Sequence, residues 1–325
     1  MADLISIIVP TFRRKEKLRR LLASFNSLTC QCPLEFIIID NCSDDGTETV
    51  VKEWMNTIGP ASVKFSILPS RSPISRARNA GIALSTGNII AFTDDDCVVD
   101  PSWAEQLYRR LISSPGFVGV GGKVLPLGND LYSAYYTVYR ILEPPGHINA
   151  VITANCILWK QPVVDAGLFD EYFSSAGGEE IALSMKLWNR GYRFGYEESA
   201  VVYHEYRTGI RNFIRNFYRD GCGERKIYEN QLDEYLRYMR YPELLYNNLA
   251  FRHLFLFQSI FSLRLVASIF LQWPFFGKKM IPSRKKVRLM CLFAFAHFSY
   301  HLGRGTFSGN LVKTVKKKKF LMIAL

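Results

Sequence analysis

Apolar and polar residues alternate in blocks over the first ninety-five residues of the chain. Short apolar runs predict four buried strands, at residues 4–9, 35–39, 63–68 and 88–92. Residues 12–28 carry leucines and a phenylalanine at helical spacing, and the basic residues opposite them, Arg14 included, are expected to form a solvated face. Residues 75–84 also predict a helix. Strands that alternate with helices in this way predict a parallel α/β sheet.

The following residues predict further strands and helices in a less regular order. Strands are expected at residues 117–124, 152–159, 192–196 and 200–203. Helices are expected from Pro101 onward and from Gly177 to Asn189. Residues 130–142 are rich in tyrosine, for which structural packing is the favoured interpretation and a lid or an acceptor surface is the alternative.

The pattern changes after about Arg225. The segments 249–276 and 289–302 are largely apolar, but their charge-free pieces are shorter than the roughly 18 residues that a spanning helix needs. Basic clusters lie between and after these segments, at residues 278–288 and 316–319. Apolar faces flanked by lysine and arginine are typical of helices that lie in an anionic membrane interface. A helical appendix packed on the main domain or on a second subunit is the alternative.

Composition narrows the classes of protein to consider. With 325 residues, the chain is long enough for one large α/β domain and a smaller helical appendix, expected at residues 1–225 and 226–325. A net charge of +12 and a pI near 9.3 indicate an anionic partner: a nucleotide-linked substrate, nucleic acid or a membrane face. The seven cysteines lack CxxC spacing, and residues 1–6 show no secretory signal, so a reducing, cytoplasmic location is expected.

Polar residues directly follow three of the predicted strands. They are Pro10 and Thr11, Asp40, and the three consecutive aspartates Asp94–Asp96. In a parallel sheet these strand ends converge on one edge, where ligands bind. Three adjacent carboxylates repel one another, and Mg²⁺ or Mn²⁺ would remove that cost while also binding a diphosphate. A solvated acidic turn is the alternative. The chain has neither a GxGxxG nor a P-loop motif.

Six segments, taken together and in order, resemble the family 2 glycosyltransferases, which have the glycosyltransferase-A fold. They are IIVPTFRR (7–14), IIIDNCSDDGT (37–47), RARNAGIALSTGNIIAFTDDDC (76–97), TANCILWKQPVVDAGLFDE (153–171), GGEEIALSMKLWNRGYRF (177–194) and VVYH (201–204). The resemblance implies a Rossmann-like, mostly parallel sheet flanked by helices. It also implies transfer of a sugar from a nucleoside diphosphate sugar to an acceptor, with inversion at the anomeric carbon.

The resemblance assigns donor-binding roles to residues near the strand ends. Pro10, Thr11 and Asp40 match positions that hold the base and ribose of the donor, and a carboxylate such as Asp40 can accept from a uracil N–H or a ribose hydroxyl. The other donor-binding or positioning candidates, each with an ordinary surface or hydrogen-bonding role as its alternative, are Arg13, Arg76, Arg78, Asn79 and Asn155.

The resemblance also implies a metal site. Asp94–Asp96 match the family's DxD motif, with Asp96 as the expected direct ligand of Mn²⁺ or Mg²⁺. Asp94 is a second candidate ligand, and Asp94 or Asp95 is expected nearer the ribose. His204 matches a position that often completes the metal site, and a structural histidine is the alternative. The metal would neutralise the diphosphate as it leaves.

The general base is expected at Glu180, with Glu179 as the second candidate. An inverting transfer needs a carboxylate on the acceptor side to take the hydroxyl proton. The family usually has Glu-Asp at this position, whereas this chain has Glu179-Glu180, whose second carboxylate is one methylene longer. The alternative is structural, because acidic residues are favourable in the first turn of a helix.

The sequence therefore predicts a metal-dependent inverting glycosyltransferase that works at the cytoplasmic membrane face. A UDP-sugar is the first candidate donor, and a glycan or lipid-linked acceptor in surface polysaccharide or glycolipid synthesis is expected. One alternative is a sugar nucleotidyltransferase, although this chain lacks the glycine-rich loop that such an enzyme has after the first strand. The other is a degenerate protein that binds a sugar nucleotide without turnover. Nucleic acid is not an expected partner, because the basic residues lie among apolar runs and form no recognition module.

Overall fold

The computed structural model describes residues 3–59, 62–139, 150–174 and 177–238, together with positions 295 and 299. The chain forms two compact units, Met1–Gly209 and Ile210–Leu325. The predicted boundary at residue 225 falls within α8 (Ile210–Tyr238), the helix that opens the second unit. The division into residues 1–225 and 226–325 stays a prediction.

The described residues of the first unit form eight strands and seven helices. Its strands are β1 (Ile5–Thr11), β2 (Leu34–Asp40), β3 (Val63–Ile67), β4 (Ile89–Phe92), β5 (Cys97–Val99), β6 (Phe117–Pro126), β7 (Cys156–Trp159) and β8 (Arg193–His204). Its helices are α1 (Lys15–Phe25), α2 (Thr47–Ile58), α3 (Ile74–Leu84), α4 (Trp103–Ile112), α5 (Leu131–Tyr139), α6 (Lys160–Asp165) and α7 (Glu179–Asn189).

The strands form one mixed sheet in the order β3-β2-β1-β4-β7-β6-β8-β5. The first four strands are parallel, as the alternation of strands and helices predicts. In the other half, β7 runs antiparallel to both β4 and β6, and β5 runs antiparallel to β8. The predicted fold class, an α/β sheet flanked by helices, is confirmed.

Helices cover both faces of the sheet because neighbouring strand residues point to opposite sides. Ile7 of β1 belongs to the same buried cluster as Leu22 of α1, whereas Ile8 belongs to the cluster that contains Leu183 of α7. A Cβ at Gly81 of α3 would lie only 2.3 Å from Cγ2 of Ile8. The close packing of α3 on β1 therefore requires glycine at this position.

Residues 192–196 and 200–203, expected as two strands, form the single strand β8. It pairs in parallel with β6, and the pairing shifts register where Gly122 faces Glu197 and Lys123 faces Val201. Glu198 and Ser199 are exposed in this irregular part. Polar residues inside a bulge interrupt the apolar pattern without ending the strand, which explains the difference.

In the second unit, α8 carries a non-helical conformation at Gln231, with φ −140° and ψ 40°. The apolar segments 249–276 and 289–302 and the basic clusters lie outside the described residues, apart from positions 295 and 299. Among the residues that the structure does describe, no helix has the length and apolar character needed to cross a membrane.

Candidate active site

The parallel strands bring Thr11, Asp40 and the DDD turn (Asp94–Asp96) to one edge of the sheet. Thr11 and Asp40 are register partners at the ends of β1 and β2. The Thr11 hydroxyl donates to Asp95 Oδ2 at 2.9 Å. Asp40 is buried, which raises its pKa, and its Oδ1 accepts from the backbone N–H of Ser43 at 3.0 Å. The predicted convergence of these strand ends is therefore present.

The DDD turn holds its three carboxylates in different environments. Asp95 and Asp96 are buried, whereas the side chain of Asp94 is 27 % exposed. The turn closes with a hydrogen bond from the N–H of Cys97 to the carbonyl of Asp94 at 3.1 Å. Burial raises the pKa of Asp95 to about 6, although its hydrogen-bond partners oppose the shift.

His204, at the end of β8, lies beside Asp96 because β8 pairs with β5 in the register Cys97 to His204. Its Nε2 is 3.3 Å from Asp96 Oδ1, and its buried Nδ1 has no hydrogen-bond partner among the described residues. Ligand atoms of Asp96, Cys97 and His204 all lie within 4.8 Å of one another. Burial holds the pKa of the Cys97 thiol well above its ordinary value, so a carboxylate and an imidazole are the available donors. This donor set fits Mn²⁺ or Mg²⁺.

Arg14 is a site residue that the helical pattern misplaced. The pattern puts it on a solvated face of the first helix, but its Nη1 donates to Asp95 Oδ1 at 2.7 Å and to Asp96 Oδ2 at 2.9 Å. Burial by itself would lower the pKa of Arg14, but the two carboxylates raise it above its ordinary value. The available signal was its position directly between β1 and α1, at the functional edge of the sheet.

Arg78 joins the DDD turn to the start of α7. Its side chain is only 3 % exposed, with Nη1 donating to Glu179 Oε1 at 2.8 Å and Nη2 lying 3.5 Å from Asp94 Oδ1. Burial alone would lower the pKa of Arg78, but Glu179, Asp94 and Glu180 raise it. Both of these ion pairs are with carboxylates of the chain, so a role in holding the diphosphate stays a prediction.

Glu179 and Glu180 differ in how many of their carboxylate oxygens accept hydrogen bonds from the protein. Glu179 is buried and binds Arg78 through one oxygen and the N–H of Gly177, at 2.6 Å, through the other. Glu180 is half-buried and accepts at Oε2 from the hydroxyl of Thr153, at 2.7 Å, and from its N–H, at 3.2 Å. Burial, together with the charge of Glu179, raises the pKa of Glu180 to about 7. A carboxylate that titrates near neutral pH is suited to taking up a proton.

Comparison with known proteins assigns the family. The sequence model described as "Glycosyl transferase family 2" matches residues 6–155, which include β1 to β4 and the DDD turn. Glycosyltransferase AglE of Haloferax volcanii is 25% identical over 230 residues, which are 69% of this chain and 74% of that protein. Residues 6–155 form a family 2 glycosyltransferase domain.

Two further similarities place this glycosyltransferase among its relatives. The pre-mycofactocin glycosyltransferase of Mycobacterium tuberculosis is 25% identical over 221 residues, which are 65% of this chain but only 44% of that protein. Among solved structures, the mannosyltransferase PcManGT of Pyrobaculum calidifontis, in complex with GDP-Man and Mn²⁺, has a TM-score of 0.59 and 16% identity. That match covers 91% of this chain and 86% of the mannosyltransferase, and it shows that the fold is shared, which confirms the glycosyltransferase-A prediction.

Three further residues are predicted to bind the donor: Pro10, Arg13 and Arg76. Pro10 is buried in β1, one residue before Thr11. Arg13 has a positive φ of 50°, and its Nη2 donates to Asp44 Oδ2 at 2.7 Å on the exposed loop after β2. Arg76 is exposed, and its side chain forms no hydrogen bond or ion pair with the described residues. No contact joins Arg13 or Arg76 to the DDD turn among the described residues.

The two predicted asparagines have their polar atoms engaged elsewhere in the fold. Asn79 Nδ2 donates to the carbonyl of Phe169 at 2.9 Å, and its Oδ1 accepts from the N–H of Phe169 at 3.0 Å. Asn155 is buried and bonds Trp103 Nε1 and the carbonyls of Lys123 and Ala200. Neither asparagine forms a side-chain hydrogen bond with the DDD turn or Glu180, so their roles in substrate positioning stay predictions.

Tyrosines of the segment 130–142 pack inside the glycosyltransferase where it is described. Tyr135 is buried, and the ring of Tyr136 stacks on Tyr206 with centroids 4.0 Å apart. Tyr206 in turn lies 4.8 Å from the ring of His204. The favoured interpretation, packing, therefore holds for these tyrosines, and residues 140–142 lie outside the described part of the chain.

Proposed function

We propose that this enzyme transfers a sugar from a nucleoside diphosphate sugar to an acceptor hydroxyl with inversion, assisted by a divalent metal. The observation that carries the proposal is the pairing of two acidic groups through one buried arginine. Arg78 contacts Asp94 of the DDD turn with one nitrogen and Glu179, next to Glu180, with the other. A donor held at the DDD turn would therefore lie close to a carboxylate that can act as a base.

The metal would be held by Asp96 and His204, with Asp94 as the further candidate. The orphaned Nδ1 of His204 and the short distance from Nε2 to Asp96 support this choice of residues. When bound, a divalent cation supplies Lewis-acid stabilisation of the charge that develops on the departing diphosphate. Thr11 supports this arrangement because it fixes Asp95 from β1.

Glu180 is proposed as the general base. The acceptor oxygen forms a bond to the anomeric carbon, the bond from that carbon to the phosphate oxygen breaks, and its electron pair leaves with the diphosphate. The acceptor proton passes to Glu180, whose second oxygen, Oε1, accepts no hydrogen bond from Thr153. Arg78 neutralises Glu179, so that Glu180 is not surrounded by uncompensated negative charge.

The donor nucleotide is proposed to be a uridine diphosphate, with guanosine diphosphate as the alternative. Asp40, at the end of β2, supports a base or ribose contact of the kind that uracil needs. The mannosyltransferase with the same fold holds GDP-Man. The acceptor is proposed to be a glycan or a lipid-linked glycan of the cell surface, reached from the cytoplasmic face of the membrane. The alternating apolar and basic segments after residue 225 support that location.

Nucleotide binding tests the proposal most directly. We would titrate the full chain with UDP, GDP and dTDP by calorimetry, with and without Mn²⁺, and repeat the titrations on Asp96→Asn. We expect one nucleotide to bind in the presence of Mn²⁺ and its affinity to fall about tenfold or more in Asp96→Asn, because a metal ligand is removed.

The matched control is Asp165→Asn, which removes an exposed carboxylate on α6 and should leave nucleotide binding unchanged. Binding of no nucleotide in the presence of Mn²⁺ would overturn the proposed donor site. Equal binding by the wild type and Asp96→Asn would remove Asp96 from the metal site. Binding without any turnover of the sugar nucleotide would instead favour the degenerate alternative.

A further inference from the structure

Three basic residues at and after the start of α1 form ion pairs with the DDD turn or with the segment after β8. Arg14 lies at the start of this helix and contacts the DDD turn, while Lys17 and Arg20 both pair with Glu205, at 2.9 Å and 2.5 Å. The backbone N–H of Glu205 donates to the carbonyl of Asp96 at 2.9 Å. The helix is thus attached to the segment that follows His204, and Arg14 is the one of the three that contacts the buried carboxylates.

Arg14 occupies the position of a counter-cation. One of its nitrogens bridges Asp95 and Asp96, whose side chains are only 5 % and 7 % exposed. Two buried carboxylates side by side need a positive charge to stay ionised. The other oxygen of Asp96 lies beside His204, so the guanidinium and the imidazole together surround the carboxylate expected to bind metal.

A metal ion held by His204 and Oδ1 of Asp96 would share that carboxylate with Arg14, which bonds its Oδ2, so the two cations would compete for one negative charge. A divalent cation and a guanidinium cannot both be close to the same carboxylate without mutual repulsion. The side chain of Arg14 is 29 % exposed, which leaves it room to move, whereas Lys17 and Arg20 hold the helix in place.

We propose that Arg14 is a built-in counter-cation that a divalent metal displaces, and that the released guanidinium then binds the donor's diphosphate. This inference rests on the proposed function, because its first step uses the metal proposed at Asp96 and its second step uses the proposed donor. The displacement step is argued from the contacts of Arg14 and His204 with the same carboxylate. The diphosphate step follows from the planar fork of arginine, which matches phosphate oxygens. Arg14 is in this sense a positioning residue that keeps the DDD turn assembled before the substrate arrives.

The first arm of the test measures the affinity of the full chain for Mn²⁺ in the absence of nucleotide, by electron paramagnetic resonance or calorimetry. We expect Arg14→Gln to bind Mn²⁺ about tenfold more tightly than the wild type, because a competing partner of Asp96 is gone. Arg14→Lys keeps the charge but lacks the planar fork, and we expect it to bind Mn²⁺ about threefold more tightly. The matched control is Arg19→Gln on the same helix, where the arginine pairs with Glu16, and we expect it to behave as the wild type.

The second arm measures the affinity for UDP and for GDP in the presence of saturating Mn²⁺. Here we expect the opposite sign, with nucleotide affinity about tenfold weaker in Arg14→Gln and partly restored in Arg14→Lys. Tighter metal binding combined with weaker nucleotide binding is a pattern that loss of folding does not produce, since unfolding weakens both.

The melting temperature of each variant is also measured, once in EDTA and once in Mn²⁺. We expect Arg14→Gln to melt earlier than the wild type in EDTA and to gain more from Mn²⁺, because the carboxylates lose their internal cation. The proposal is overturned if neither Arg14→Gln nor Arg14→Lys binds Mn²⁺ more tightly than the wild type. Failure of all proteins to bind UDP or GDP would strike the proposed function, while the result with Mn²⁺ alone would still decide the displacement step.

Discussion

Two adjacent glutamates on α7 have different chemical environments although they are identical in sequence terms. Glu179 is buried and forms an ion pair with Arg78 at 2.8 Å. Glu180 is half-buried and bonded to Thr153, with its pKa raised to about 7 by burial and by the charge of Glu179. One carboxylate is therefore committed to structure, and its neighbour remains able to exchange a proton near neutral pH.

The pH dependence of turnover follows from the raised pKa of Glu180. A general base acts in its deprotonated form, so the rate should rise with pH up to about 7 and level off above it. Below that pH the rate should fall about tenfold for each unit. We expect Glu180→Gln to lose about a thousandfold in turnover and to lose this pH dependence. The measurement is release of nucleoside diphosphate from the donor identified by calorimetry, between about pH 5 and 9.

Two further variants sharpen this prediction. Glu180→Asp shortens the side chain by one methylene and should retain more activity than Glu180→Gln, because it keeps an ionisable base. Glu198→Gln removes an exposed carboxylate that pairs with Lys123 and serves as the matched control. Glu180 is not the base if Glu180→Gln turns over the donor at the wild-type rate with an unchanged pH profile.

At the scale of elements, one buried glutamate joins the strands at the edge opposite the DDD turn. Glu35 of β2 accepts from Ser6 of β1, from Lys64 of β3 at 2.8 Å, and from Thr86 and Gly87, which precede β4. Burial on its own would raise the pKa of Glu35, but the bonds from Lys64, Ser6 and Thr86 outweigh it and lower the pKa to about 2. The four parallel strands thus share one charged anchor.

The stability contributed by Glu35 should depend on pH. Its pKa falls from an ordinary 4.5 to about 2 on folding, so its contribution is fully present above about pH 4.5 and is lost as the pH falls toward 2. We expect Glu35→Gln to reduce the free energy of unfolding by about 2 kcal/mol at pH 7, and this difference to shrink on acidification. Chemical denaturation at several pH values between about 7 and 3 measures it.

The control for this prediction is Glu48→Gln, which removes an exposed partner of Lys52 on α2. It should change the free energy of unfolding by less than about 0.5 kcal/mol at any of these pH values. A stability difference for Glu35→Gln that stays constant down to pH 3 would contradict the role assigned to its charge.

The elements also show why some of the site was predictable and some was not. Each long apolar run followed by a polar residue marked a strand end, so the meeting of Thr11, Asp40 and the DDD turn followed from the parallel sheet. Arg14 did not follow, because helical periodicity separates apolar from polar faces but does not say what the polar face meets. Its basic residues meet the DDD turn and Glu205, which are distant from α1 in the sequence.

The positive charge of the chain is concentrated in its last hundred residues. Residues 226–325 contain 17 lysines and arginines against four aspartates and glutamates, whereas residues 1–225 contain 24 against 25. The net charge of +12 is therefore a property of the last hundred residues. The proposed catalytic residues lie in residues 1–225, so the excess positive charge lies outside them and is available for an anionic surface. Each lysine or arginine near such a surface contributes about 1 kcal/mol to binding.

Membrane binding should therefore depend on the basic tail and on salt. We expect the full chain to co-sediment with vesicles that contain anionic phospholipid and much less with neutral phosphatidylcholine vesicles. Replacing all four lysines at residues 316–319 with glutamine should weaken binding at least tenfold, and raising NaCl from about 50 to 500 mM should weaken it further. The charge-matched control replaces four exposed basic residues of the first unit, namely Arg19, Lys52, Arg109 and Arg190. Because the first unit carries no net positive charge, this control should bind almost as the wild type does. Equal binding to both kinds of vesicle would show that charge does not drive membrane binding. Binding to neither kind would contradict the membrane as the anionic partner of the basic segments.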